Sequence, residues 1–177
     1  MRVLIFGLPG SGKTYLAERL VEYLGDKVAW FNADKVREEA DDWDFSDEGR
    51  LRQNQRMIDL CINAELEGKI AIADFVAPFE SARNKFFADY EIFVGTIEEG
   101  RFEDTNKMFK APTHFDYHVK EWFTDTHAQL SEVVKNYMER NTIYSFEDKN
   151  NSYNTIEYIS ENVELGEVYN HIAIEAL

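Results

Sequence analysis

Gly7-Leu8-Pro9-Gly10-Ser11-Gly12-Lys13-Thr14 is a complete GxxxxGKT loop, set between the apolar run 3–6 and the helix-patterned segment Lys13–Leu24. Strand, glycine-rich turn and helix in that order build a phosphate cradle. The glycines let successive backbone N–H groups turn inward, and the helix presents its partially positive N-terminus to the same point. Read this way, Gly7, Leu8, Pro9, Gly10, Ser11, Gly12, Lys13 and Thr14 bind ATP. Lys13 reaches the β and γ phosphates and Thr14 ligates Mg²⁺.

Outward from the loop, apolar runs and helical periods alternate in the manner of a doubly wound α/β domain with a parallel sheet. Strands are expected at 3–6, 28–31, 70–73, 92–94 and 122–124, and helices at 13–24, 50–67, 80–87 and 130–140. The texture then turns rich in Asn, Tyr and Glu. Residues 1–140 therefore read as one P-loop kinase domain, and 141–177 as a C-terminal element appended to the same compact unit.

With 177 residues, 44% of them hydrophobic, the chain can bury one substantial core, and it holds no apolar stretch of membrane-spanning length. The first strand begins almost at Met1 and leaves no room for a leader, so a cytoplasmic location is expected. A formal net charge of −15 opposes nucleic acid and anionic membranes as partners. A small nucleotide held inside a cleft is still compatible with that charge, as is a homodimer. Cys61, flanked at helical spacing by Met57, Leu60 and Ala64, reads as a buried structural thiol. His114 and His118 lack any accompanying zinc pattern. Against this acidic background Arg37, Arg50, Arg52 and Arg56 stand out as a local basic cluster.

In open α/β sheets ligands bind beyond the carboxyl ends of the strands. Asp34 and Arg37 follow the second expected strand, and Asp74-Phe75-Val76-Ala77-Pro78-Phe79 follows the third. Phosphoryl transfer needs an acid at the acceptor hydroxyl, a divalent metal between phosphates and cations around the transferred group. Lys13 and Asp34 are thus the catalytic candidates, with Thr14 and Asp34 at the metal and Asp74 as the rival metal carboxylate. Asp34 also suits a helix cap.

The ordered motifs GLPGSGKT, NADKVR at 32–37, DFSDEGRLRQNQRM at 44–57, DFVAPFESAR at 74–83 and EIFV at 91–94 resemble the adenylyl-sulfate kinase family. The resemblance covers residues 1–140. It implies MgATP-dependent phosphorylation of the 3′-hydroxyl of adenosine 5′-phosphosulfate in sulfate assimilation, on a parallel five-stranded sheet flanked by helices with a short lid. Carried onto this sequence, it implies that Arg37 and Arg50 bind the substrate and that Phe45 and Phe75 hold its adenine. It implies substrate binding also by Gln53, which stands where the family offers Asn, and by Lys110, retained in the lid segment 104–110. Asn32 stands where the family has its first acid. Asp74 stands where it has a small hydroxyl residue, which would set negative charge near an anionic acceptor. Two alternatives remain open: a P-loop kinase for another nucleotide or a modified nucleic-acid hydroxyl, and a non-catalytic nucleotide-binding regulator.

Overall fold

Residues Arg2–Phe6 form β1, in which every residue after Arg2 is buried on both faces of the sheet. Such a strand carries a continuous apolar run instead of an alternating one, and it belongs at the centre of a parallel sheet. In the computed structural model, which describes the backbone of residues 1–122 and 125–147 and side chains as far as Tyr137, β1 is indeed central. It pairs in parallel with β3 (Ile70–Phe75) on one side and β4 (Tyr90–Val94) on the other. The edges are β2 (Val28–Asn32) against β3 and β5 (Tyr117–Val119) against β4, giving the order β2-β3-β1-β4-β5.

Connections from β1 and β3 leave toward opposite edges of the sheet. This creates a crevice above their carboxyl ends. The helices, in chain order, are α1 (Lys13–Leu24), α2 (Ala33–Glu39), α3 (Asp47–Leu66), α4 (Glu80–Phe86), α5 (Glu103–Met108) and α6 (Thr126–Glu147). In α1 the buried positions Lys13, Leu16, Ala17 and Leu20 recur at helical spacing, and Gly25 ends the helix at φ 71° with its N–H on the Val21 carbonyl. Complete burial of one leucine such as Leu20 contributes about 1.5–3 kcal/mol.

The long helix α3 starts at Ser46, whose side chain accepts from the Gly49 N–H, with Asp47 and Glu48 against the helix dipole. Its buried stripe runs through Gln53, Asn54, Met57, Ile58, Cys61 and Ala64. Two amides at the end nearest the crevice interrupt an otherwise apolar face. Burial pushes the Cys61 thiol up to about 12, as befits a packing residue.

The fifth strand is not where the aromatic run at 122–124 suggested. It is Tyr117–Val119, in register Ile92↔Tyr117 and Val94↔Val119. Strand propensity in Trp122 is overridden because that indole packs against the phosphate loop, edge-on to Tyr15 at 5.5 Å. Phe123 and Thr124 lie outside the described residues. Helices α2 and α5 escaped the periodicity reading because each is short and mostly polar.

The chain divides into two compact units, Met1–Lys135 and Asn136–Leu177. The division falls inside α6, a little before the change of texture after Arg140, because composition tracks side-chain type and not contacts. Residues 148–177, most of the appended element, lie outside the described residues. Among the described residues no helix is long and apolar enough to cross a membrane.

Candidate active site

The glycine-rich turn after β1 takes its shape from close approach as much as from backbone freedom. Gly7 adopts φ 148°, and a Cβ there would collide with the Val94 carbonyl of the neighbouring strand. Gly12 adopts φ 98°, and a Cβ there would meet the Trp122 ring at 2.5 Å. Neither position accepts a side chain. Lys13 follows, 8% exposed, with its ammonium donating to the Leu8 carbonyl at 2.9 Å. Burial lowers its pKa to about 8, partly offset by Asp74 and Asp34, while Arg101 pushes in the same downward direction. The charge is thus held dry inside the loop, where Coulomb attraction for a phosphate is strongest.

One residue on, Thr14 donates its hydroxyl to Asp74 at 2.7 Å. Asp74, one residue before the end of β3, is in register with Asn32, the last residue of β2. The Asn32 amide donates to both carboxylate oxygens at 3.1 Å, and the Trp30 indole donates to one of them at 3.0 Å. Asp74 is 2% exposed. Burial raises its pKa, and the hydrogen bonds from Thr14, Trp30 and Asn32 work against that rise. The carboxylate is enclosed by donors and turned to Thr14. Of the two metal candidates, Asp74 is the one in contact with Thr14.

Asp34 has a different setting. It is exposed in the first turn of α2 and lines the crevice. It is not the cap of that helix. Asn32 is, accepting from the Lys35 N–H at 3.1 Å while its amide nitrogen serves Asp74.

The crevice encloses about 740 Å³ and is lined by Lys13, Thr14, Asp34 and Asp74 together with Phe45, Arg50 and Phe75. Phe45 is 49% exposed, with the Arg37 guanidinium 4.7 Å and that of Arg50 5.7 Å from its ring centre. Phe75 is buried and leans on Phe86 at 5.6 Å. Both rings reach the same cavity.

The arginine cluster is largely occupied with its own loop. Arg37 is buried and donates to the carbonyls of Asp42, Asp44 and Gly49. Arg52 and Arg56 pair with Asp42 at 3.3 and 2.6 Å, and Arg52 also pairs with Asp44 at 2.8 Å. Those bonds hold the Asp42 carboxyl well below the usual carboxylate range. Asp42 and Asp44, in an otherwise exposed turn, are thus the counter-charge of Arg52 and Arg56. Arg50 donates to the Phe45 carbonyl and reaches α5 through Thr105 at 3.4 Å and Asp104 at 3.6 Å.

Gln53 lines the crevice with its amide donating to the Ala33 carbonyl and accepting from Arg56. Lys110 does not join the crevice wall. Its backbone binds the Pro78 carbonyl and the Arg83 guanidinium, and its side chain is exposed.

The sequence reading missed Arg101. This residue faces the crevice on a loop tied down at two places: Thr96 donates to the Ser11 carbonyl at 2.7 Å, and Asn106 closes two bonds onto Gly100. A lone basic residue within the acidic run at 98–104 is the signal that could have marked it.

The family model for adenylylsulphate kinase matches residues 1–110. A probable adenylyl-sulfate kinase of Aeropyrum pernix is 37% identical over 86 residues, 46% of this chain and 47% of the relative. The match thus spans about half the length of that curated relative. Among solved structures, that of APE1195 superposes with a TM-score of 0.64 at 26% identity, over 76% of this chain and 94% of the other. The structure of the Mycobacterium tuberculosis APS kinase CysC in complex with AMPPNP and APS shares the fold, with a TM-score of 0.55 at 18% identity over 78% and 96% of the two chains. Every residue lining the crevice falls between Pro9 and Thr105, inside the span that the family model matches, and the chain belongs to the adenylylsulphate kinase family.

Proposed function

We propose that this chain transfers the γ-phosphoryl group of ATP to the 3′-hydroxyl of adenosine 5′-phosphosulfate. The observation that carries the reading is the Thr14–Asp74 contact at 2.7 Å, which sets a carboxylate behind the phosphate loop inside a crevice that Phe45 and Phe75 also line. Family membership supports the choice of acceptor.

In the reaction the acceptor oxygen bonds to the γ phosphorus while the bond from that phosphorus to the β–γ bridging oxygen breaks. ADP leaves, and the hydroxyl proton passes to the Asp34 carboxylate or to solvent. Asp34 orients the acceptor hydroxyl, its exposure leaving it open to a ligand. Lys13 and Arg101 face the equatorial oxygens of the transferring group, where negative charge is spread. Thr14 and Asp74 fit Mg²⁺, because their oxygens already converge and Asp74 is a buried carboxylate without an ion pair among the described residues. That ion would neutralise charge on the β and γ phosphates. Phe45 and Phe75 offer flat faces to a purine.

Release of ADP, followed with a coupled assay, tests the reading. MgATP with adenosine 5′-phosphosulfate is expected to turn over well above a panel of nucleosides, mononucleotides and sugars. Faster turnover with another member of the panel reassigns the acceptor. No ADP release with any of them removes the kinase activity.

A further inference from the structure

Three buried side-chain polar atoms lack a hydrogen-bond partner among the described residues: Ser11 Oγ, Asn54 Oδ1 and His118 Nε2. Only Asn54 belongs to a residue of the crevice wall. It stands on α3 one residue after Gln53, and it is 2% exposed. Its amide orientation is determined, because Nδ2 donates to the Ala82 carbonyl at 3.2 Å and a carbonyl can only accept. Oδ1 is therefore an acceptor without a donor, closed to bulk water. A buried acceptor left unmade is unfavourable, and native structures keep few of them. Gln53 alongside has both ends satisfied, and Arg83 nearby donates to the Ala77 and Lys110 carbonyls.

The crevice that Asn54 lines also has an apolar stretch, Phe75, Val76, Ala77 and Pro78. The cations Lys13 and Arg101 are on the phosphate-loop side of the same crevice. The acceptor's 3′-hydroxyl must meet the γ phosphate held by those cations, which leaves its base to the apolar flank. We propose that Asn54 is a specificity-determining residue of the acceptor site, its Oδ1 receiving a hydrogen bond from an amino group on the edge of the acceptor's base. This rests on the adenine-nucleotide reading above and adds the group that is recognised. A base seated on the wall supplies the missing donor once the Asn54 side chain turns toward it, because Oδ1 is closed to water in the empty crevice. A base with a carbonyl at that edge would leave two acceptors facing one another, so the same atom rejects it.

Calorimetric titration in the presence of ADP tests this with two ligands, adenosine 5′-phosphosulfate and its purine-riboside counterpart lacking the 6-amino group. The unaltered protein is expected to bind the amino ligand about tenfold or more tightly, since a site built around one hydrogen bond discriminates strongly against its loss. Asn54→Leu is expected to weaken the amino ligand to the level of the deaminated one, leaving the deaminated ligand and ADP within about twofold. Its melting temperature is expected to hold or rise, because an orphaned acceptor is removed along with one donor bond.

Equal affinity of the unaltered protein for the two ligands overturns the proposal without needing any variant. Equal weakening of both ligands by Asn54→Leu also overturns it, since a merely structural residue behaves that way. Asn54→Ser, which folds with less change of volume and polarity, must reproduce the selective loss. If the unaltered protein binds ADP but neither acceptor, the acceptor reading itself has failed, and Asn54 falls with it.

Discussion

The two walls of the crevice use polar residues in opposite ways. On the phosphate-loop wall, Lys13, Thr14, Asn32 and Asp74 converge on a single point from α1, β2 and β3. Beside the other wall, Arg37, which lines the crevice, and Arg52 and Arg56, which do not, turn back onto the loop at 42–49 and hold it in place. The first arrangement is built for a ligand. The second builds a platform, whose product is the position of the half-exposed Phe45 ring. A cluster of arginines in the sequence is therefore not by itself an anion clamp, because a charge already paired with nearby carboxylates has little left to offer a phosphate.

The largest effect should come from the converging wall. Lys13→Ala is expected to lower kcat/KM by roughly a thousandfold, the upper end for losing one preorganised charge, with little change in melting temperature. Its ammonium is buried at a cost in desolvation, so removing it does not weaken the core. Near-normal turnover in a folded Lys13→Ala protein would dissolve the contrast between the walls.

The next test concerns the pair Asn32 and Asp74, which face each other in register. The family resemblance has an acid at the first position and a small hydroxyl residue at the second. This chain has the carboxylate on the neighbouring strand and keeps it against Thr14. Asp74→Ser alone should cost about a hundredfold in kcat/KM, whereas Asn32→Asp with Asp74→Ser should recover to within about tenfold of the starting activity. Steady-state kinetics over a Mg²⁺ titration measures both. A single variant as active as the double would show that the carboxylate has no place beside Thr14.

On the platform wall the effects should be smaller and confined to the acceptor. Phe45→Ala is expected to raise the acceptor KM roughly tenfold, with ATP use and melting temperature nearly unchanged. Phe75→Ala is a less clean probe, because that ring also packs on Phe86 and belongs to the main core cluster. Its truncation should lower stability by about 3 kcal/mol as well.

The smallest effect is one of pH. A carboxylate whose pKa is depressed in the folded state contributes stability above its unfolded value of about 4 and loses that contribution as pH falls through the folded value. Asp42, bonded to Arg52 and Arg56, is such a group. Fluorescence of Trp43 is expected to stay level from neutral pH to about 4 and to change below it as the loop loosens. Asp42→Asn should abolish that step while the phosphate-loop wall is unaffected. A step that survives Asp42→Asn would place the acid-sensitive contact elsewhere.

Much of the converging wall was legible before folding. The loop at 7–14 states its own geometry, since glycines and a Lys-Thr pair at that spacing leave few other uses for a strand-to-helix turn. Asp34 and Asp74 could be named as acids at strand ends, but their ranking beside Thr14 could not. It depends on β2 and β3 lying side by side, a pairing between residues 42 apart in sequence that places Asn32 against Asp74. The fifth strand was misplaced for a related reason: Trp122 has strand-like character, and its place against Gly12 is a tertiary contact.

By itself, the sequence determined the parallel α/β class, the phosphate loop and the kinase family, because these rest on local backbone demands and on ordered short motifs. The tertiary structure decided which carboxylate meets Thr14, which arginines are already neutralised, that Arg101 faces the phosphates' side of the crevice and that Asn54 holds an unmet acceptor. Each of these is a question of partners, and partners are set by burial and by distances across the chain, where a charge or an amide counts only for what remains after its neighbours have been satisfied.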